Sequence, residues 1–217
     1  GIDIGGTRIK IIVIENGSII QSYIINEVSK TSGNMLAQQV LDGVRNIITT
    51  VRRMPAKGDF AVQAVGITFP AVIRQEIDGT MTVVRMTNFE RFWSQARGGS
   101  QEFTDDYRNI NSLPQQLRGE LGEQIYVDVI NDANAFGFAE LLAQPELSSK
   151  TAVVLPIGTG PGYVKLAQGK IENTPQQGGH MVIDLSDDAL TDPGCEVAGC
   201  YGAYVPGNVL DQVARRF

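Results

Sequence analysis

The sequence is short of several residue types and patterns, and each shortage narrows what the chain can be. Among 217 residues there are two cysteines, Cys195 and Cys200, too few for a disulfide framework. His180 is the only histidine. No apolar stretch approaches the length of a membrane span, and no signal-peptide pattern opens the chain. No basic run stands out, so nucleic acid is not expected as the main partner. Low-complexity and linker-like stretches are missing too. These absences point to a cytoplasmic globular protein. The chain opens on Gly1, already within a strand pattern, and stops at Phe217 within a helix-like run, so it reads as part of a longer chain.

What remains is ordinary globular composition, with 42% hydrophobic and 19% charged residues. The formal net charge of −6 serves solubility. A length of 217 residues allows one large domain or two small ones, with a sizeable core.

The most informative stretch is Gly1-Ile2-Asp3-Ile4-Gly5-Gly6-Thr7-Arg8-Ile9-Lys10. It reads as a buried strand, a glycine turn with a hydroxyl residue, and a second apolar strand over 9–14. Successive N–H groups of Gly5, Gly6 and Thr7 can form an anion nest, and the Asp3 carboxylate can hold a metal ion beside phosphates. A plain hairpin with a Gly-Gly turn is the competing reading. A second glycine turn, Gly158-Thr159-Gly160-Pro161-Gly162, also lies between apolar segments. Two such turns facing each other would grip a polyphosphate.

Asn16-Gly17 joins the strand over 9–14 to another over 19–25. Apolar residues at helical spacing predict a helix over 34–54, stopped by Pro55. Strands are expected over 60–69, 124–130 and 150–157, with short hairpins around Asp78-Gly79 and Gln168-Gly169. Helices are expected over 114–121, over 133–142 and from 205 onward. The polar segment 88–112 reads as a loop or excursion, with Phe89, Phe92 and Trp93 as packing residues and Asn88 as a polar ligand contact. Mixed strands and helices in this order predict the α/β class. The repeated strand–turn–strand unit predicts two similar lobes joined near residues 142–150.

Asn131-Asp132 stands where a strand meets a helix. Asp132 suits a helix cap, and it equally suits a general base that accepts a proton from a substrate hydroxyl, with Asn131 orienting that substrate. The two roles do not exclude each other. His180, Cys195 and Cys200 offer three soft metal ligands, one fewer than a structural zinc takes. Two reduced thiols and a hydrogen-bonded histidine are the alternative.

The segments GIDIGGTRIK, GITFPAVI, NDANAFGFAE, IGTGPGYVKLAQGKI, GGHMVI and CEVAGCYGAYVPG occur in the order found in the ROK family (repressor, open reading frame, kinase). The chain resembles that family along nearly its whole length. The resemblance implies an α/β fold of two ribonuclease-H-like, actin-like ATPase lobes with a cleft between them. Residues 1–142 would form the first lobe and 143–217 the start of an incomplete second one. It implies a glucokinase-like enzyme that moves the γ-phosphoryl group of ATP to a sugar hydroxyl, usually at carbon six, and a homodimer. By similarity Asp132 would be the general base, and Asn88, Asn131, Gln177 and His180 would contact the sugar. Gly5, Gly6, Thr7, Gly158, Thr159 and Gly160 would cradle phosphates, and Asp3 would help to hold Mg2+. His180, Cys195 and Cys200 would be Zn2+ ligands.

The departures from the family pattern are specific. Gln177 stands where the family has a sugar-binding glutamate, and Ala71 where it has glycine. In Cys-x-Cys-Gly-x-x-Gly-Cys-x-Glu, Pro193 replaces the first cysteine and Gly202 the last glutamate. Proline brings no donor atom, so one metal position is left open. Asp192 is near enough in sequence to close it, but carboxylate oxygen is a harder ligand than thiolate. Weak or absent zinc is therefore expected, with His180 then available to the sugar. The lost carboxylates also keep a second possibility in view, a non-catalytic sugar-binding or regulatory protein.

Overall fold

The computed structural model describes residues 1–30, 32–77, 80–86, 100–158, 160–172, 178–192 and 195–205, and the side chains of 100–104 are outside that description. The expectations for Asn88, Phe89, Phe92, Trp93, Thr159 and Gln177, and for the helix beyond 205, fall outside the described residues. By its contacts the chain divides into two compact units, Gly1–Asn131 and Asp132–Phe217. The division falls earlier in the chain than the join expected near 142–150.

The first unit is built on strands β1 (Ile2–Ile4), β2 (Ile9–Glu15), β3 (Ser18–Ile25) and β4 (Ala64–Phe69). Strands β5 (Ala71–Gln75), β6 (Met81–Met86) and β7 (Tyr126–Asn131) follow. Five of them form one sheet in the order β3-β2-β1-β4-β7. The β1–β2 and β2–β3 pairs are antiparallel, and the β1–β4 and β4–β7 pairs are parallel. Asn16 and Gly17, with φ of 50° and 79°, make the tight β2–β3 turn. Strands β5 and β6 form a separate antiparallel hairpin.

Helix α1 (Gly33–Arg52) buries Leu36, Val40, Leu41, Val44, Ile47, Ile48 and Val51 on one stripe. That is the helical periodicity of its sequence turned into packing. Ser32 caps it, its Oγ accepting from the Met35 N–H at 3.1 Å.

Helix α2 (Ser100–Asn111) lies in the segment expected to be loop. Its sequence is polar, and local pattern gave no reason for it. Tertiary contacts supply that reason. Tyr107 and Ile110 are buried in the core, and the Tyr107 hydroxyl accepts from the Met86 N–H at 2.7 Å. Asn111 bonds both polar groups of the Val83 backbone, at 2.8 and 3.1 Å. Helix α3 (Leu113–Leu121) follows and buries Leu113 and Leu117.

The second unit starts with helix α4 (Asp132–Ala143), which packs on the antiparallel strands β8 (Thr151–Val154), β9 (Val164–Ala167) and β10 (Lys170–Ile171). Its small core joins Ala133, Val164 and Leu166 to Leu141, Val154 and Ile171. This packing places α4 with the second unit rather than the first. Single bridges, Val182↔Cys200 and Thr191↔Ala198, hold the segment that follows. The α/β class expected from the sequence is the class observed.

Candidate functional site

In the first unit the site begins with register. Asp3 lies opposite Lys10 on β2 and opposite Thr68 on β4. The neighbours Ile2 and Ile4 are buried, which fixes β1 in the sheet centre and turns the Asp3 side chain to the other face. The Thr68 hydroxyl donates to Asp3 Oδ1 at 2.8 Å. The Lys10 ammonium lies 3.9 Å from Asp3 Oδ2. Lys10 and Asp3 are about half exposed, at 55% and 49%, so their pairing contributes little stability, about 0–1 kcal/mol. A cation arriving at Asp3 therefore displaces little. Carboxylate and hydroxyl oxygens are hard donors of the kind Mg2+ takes, and the Asp3–Thr68 pair fits that ion.

After β1 the Gly5 N–H donates to the Arg8 carbonyl at 2.9 Å and closes the first glycine turn. Gly6 is buried, while Thr7 is exposed. At the end of β7, Asn131 donates from Nδ2 to the Ala71 carbonyl at 2.9 Å, which fixes its amide against the start of β5. Sequence reasoning named Asp3 but not Thr68 or Lys10. Their proximity follows from strand register, which no local motif records.

In the second unit Asp132 opens α4. Its Oδ1 accepts the N–H of the next residue, Ala133, at 2.8 Å, a local contact at the start of the helix. The second glycine turn is pinned at its base, where the Gly162 N–H donates to the Pro156 carbonyl at 2.7 Å and Ile157 bridges Pro161. The strand expected over 150–157 ends at Val154 because residues beyond it belong to this turn. A Cβ at Gly162 would lie 3.0 Å from the Ala133 Cβ and 2.6 Å from Pro156 Cγ. Only glycine lets the turn sit this close to the first turn of α4. Gly160 faces open space instead, since a Cβ there would meet nothing within 4 Å, and one at Gly158 would meet only the Gly160 carbonyl oxygen at 3.8 Å. So Asp132 and the second glycine turn share one corner of this unit.

The short 3-10 helix Gly178–His180 packs against that corner. A Cβ at Gly178 would strike the Tyr163 ring, and one at Gly179 the Pro161 carbonyl. His180 itself is exposed. Its Nδ1 lies 3.7 Å from Cys200 Sγ, which lies 3.5 Å from Cys195 Sγ. Both cysteines are free thiols. Burial pushes the Cys200 thiol up to about 11, and the neighbouring Cys195 and Asp192 add to the rise.

The position that Pro193 was expected to leave open contains a fourth donor. Asp192 Oδ2 lies 3.8 Å from Cys200 Sγ. Donor atoms of His180, Asp192, Cys195 and Cys200 all lie within 4.8 Å of one another. Gly202 is not a passive loss of a carboxylate, because a Cβ there would fall on Asp192 Oδ2.

The ROK family model matches residues 1–216. The chain belongs to the ROK family. No curated protein matches it. Its fold is that of solved ROK proteins. A ROK family glucokinase from Streptomyces griseus, in complex with glucose and AMPPNP, is 23% identical with a TM-score of 0.68, over 100% of this chain and 59% of that one. A ROK family transcriptional regulator, a homolog of the Escherichia coli MLC protein, is 18% identical with a TM-score of 0.66, over 99% of this chain and 48% of that one. The Lmo2764 protein of Listeria monocytogenes, a putative N-acetylmannosamine kinase, is 21% identical with a TM-score of 0.65, over 99% of this chain and 62% of that one. The ROK chain described here thus spans less than two thirds of each of these three structures. The family holds both sugar kinases and regulators. No helix among the described residues is long and apolar enough to cross a membrane.

Proposed function

We propose that this ROK protein is an ATP-dependent sugar kinase that phosphorylates a hydroxyl of a hexose or N-acetylhexosamine. The observation that carries the reading is the seating of the second glycine turn on the first turn of α4 through Gly162. A candidate phosphate cradle and a candidate base then belong to one rigid corner. Phosphoryl transfer needs positioning and charge neutralisation more than covalent chemistry, and these residues supply both.

In this reading Asp132 accepts the proton of the attacking sugar hydroxyl, while its contact with the Ala133 N–H holds the carboxylate in place. Asn131, its amide fixed on Ala71, and His180 orient the sugar, with Asn88 and Gln177 as further contacts. Gly6 and Thr7 in the first turn and Thr159 and Gly160 in the second cradle the phosphates of ATP, while Gly5 and Gly158, whose N–H groups donate to the Arg8 and Gly160 carbonyls, close the two turns. Asp3 and Thr68 hold Mg2+, which neutralises phosphate charge when bound, and Lys10 lies close enough to add a cation. A cytoplasmic homodimer is the form expected.

A non-catalytic sugar-binding or regulatory protein is the second reading. Gly202 favours it, since Asp192 leaves no room there for the sugar-binding glutamate of the family. One experiment separates the two. The full chain is assayed with ATP, Mg2+ and a panel of hexoses and N-acetylhexosamines, with sugar binding measured in parallel. Sugar-dependent ADP formation supports the kinase. Sugar binding without ADP formation on any member of the panel supports the regulator.

A further inference from the structure

We propose that Asp192 is a metal ligand, and that with His180, Cys195 and Cys200 it forms a closed site of two sulfurs, one nitrogen and one oxygen for a zinc ion. The inference stands apart from the kinase reading, since it concerns metal uptake and not turnover, and zinc on Nδ1 leaves Nε2 of His180 for a sugar hydroxyl.

Geometry carries it. Zinc bonds of about 2.0–2.3 Å at the tetrahedral angle put ligand atoms about 3.3–3.8 Å apart. The separations seen are 3.5 Å between the two sulfurs, 3.7 Å from Cys200 Sγ to His180 Nδ1 and 3.8 Å from Cys200 Sγ to Asp192 Oδ2. Four donors from three separate turns thus lie within 4.8 Å of one another, and the three separations from Cys200 Sγ match those that a tetrahedral zinc sets.

The local fold aims Asp192 at that point. Its Oδ1 accepts the Cys195 N–H at 3.1 Å. Its carbonyl accepts the Glu196 N–H at 2.8 Å, and its N–H donates to the Val197 carbonyl at 3.2 Å. These bonds fold the loop around Asp192 and leave Oδ2 directed at Cys200. The residue is buried, at 7% exposure. Gly202 provides the space Oδ2 occupies. Two of the departures from the family pattern, at 193 and 202, thus fit together: a thiolate is lost at Pro193, and the carboxylate beside it takes the position that a side chain at 202 would block.

An oxygen for sulfur exchange leaves the formal charge of the site unchanged but makes it harder. Its affinity should lie below that of a three-thiolate site. It also anchors His180, and through Gly178 and Gly179 the packing on Tyr163 and Pro161 under the second glycine turn.

The test is metal binding by the full chain without sugar or nucleotide. Chelated protein is titrated with Zn2+ and with Co2+, whose sulfur charge-transfer absorption counts thiolates. The expected result for the wild type is one metal per chain, with absorption of two thiolates. Asp192→Asn, which keeps an acceptor for the Cys195 N–H, should weaken zinc at least ~10-fold. Asp192→Cys should tighten zinc and raise the charge-transfer absorption by about half. No metal uptake by the folded wild type overturns the proposal. So does an unchanged zinc affinity in Asp192→Asn. If Asp192→Asn does not fold, Asp192→Cys decides alone, and a wild-type cobalt spectrum there overturns it.

Discussion

Asp192 Oδ2 occupies the space where a side chain on Gly202 would begin. The contact lies inside a loop whose backbone bonds leave it little freedom to move away, so the two positions are coupled. Gly202→Ala should therefore destabilise the chelated protein by about 1–3 kcal/mol, the usual cost of overpacking. Asp192→Ala vacates the space. The double variant should lose less stability than the sum of the two single ones. Urea unfolding midpoints measure this, and strict additivity would show that the two positions do not share space.

Asp132→Asn should lower sugar phosphorylation by ~10²–10⁴, the scale of general-base loss. Stability should barely change, because asparagine retains the Oδ1 that accepts the Ala133 N–H and is itself a good cap. Steady-state kinetics and thermal unfolding on the same preparation check both halves. Turnover within a few-fold of wild type would reduce Asp132 to a cap.

Gly160 and Gly162 should part company. Gly160 borders open space, so Gly160→Val should fold with wild-type stability and lose nucleotide binding, the side chain filling the room a phosphate needs. Gly162→Ala would press on Pro156 and Ala133, and should cost about 1–3 kcal/mol of stability. Calorimetric titration with a non-hydrolysable ATP analogue reads the first effect. Unchanged affinity in folded Gly160→Val would remove this turn from the nucleotide site.

Glu196 holds a φ of 60°, a left-handed conformation that a β-carbon disfavours by roughly 1–2 kcal/mol. The family pattern has glycine at this place. Glu196→Gly relieves the strain but adds freedom to the unfolded chain, which costs about 0.4–1 kcal/mol. A net gain of up to about 1 kcal/mol is expected in chemical denaturation. A loss of stability would mean that the Glu196 side chain contributes more than its backbone costs.

Local chemistry made much of the fold legible in the sequence. Asn16-Gly17 and Gln168-Gly169 announced hairpins because both residues of each turn must take positive φ, and all four do. The apolar spacing over 34–54 announced α1 because one stripe of a helix had to be buried. Asp132 could be placed at a helix start from its neighbours alone. The segments that carry the family resemblance were equally visible, since they are runs of consecutive residues. Other features came only with the tertiary structure. Helix α2 is polar and owes its order to Tyr107, Ile110 and the bonds from Tyr107 and Asn111 to β6, partners distant in sequence. Thr68 and Lys10 reach Asp3 through sheet register, and Asp192 reaches the sulfurs because Gly202 stands aside. Short-range pattern reports what a residue prefers within a turn or two of its own backbone. Which side chains meet is set by packing between elements far apart in sequence, and for Asp192 the space left by another residue decided it.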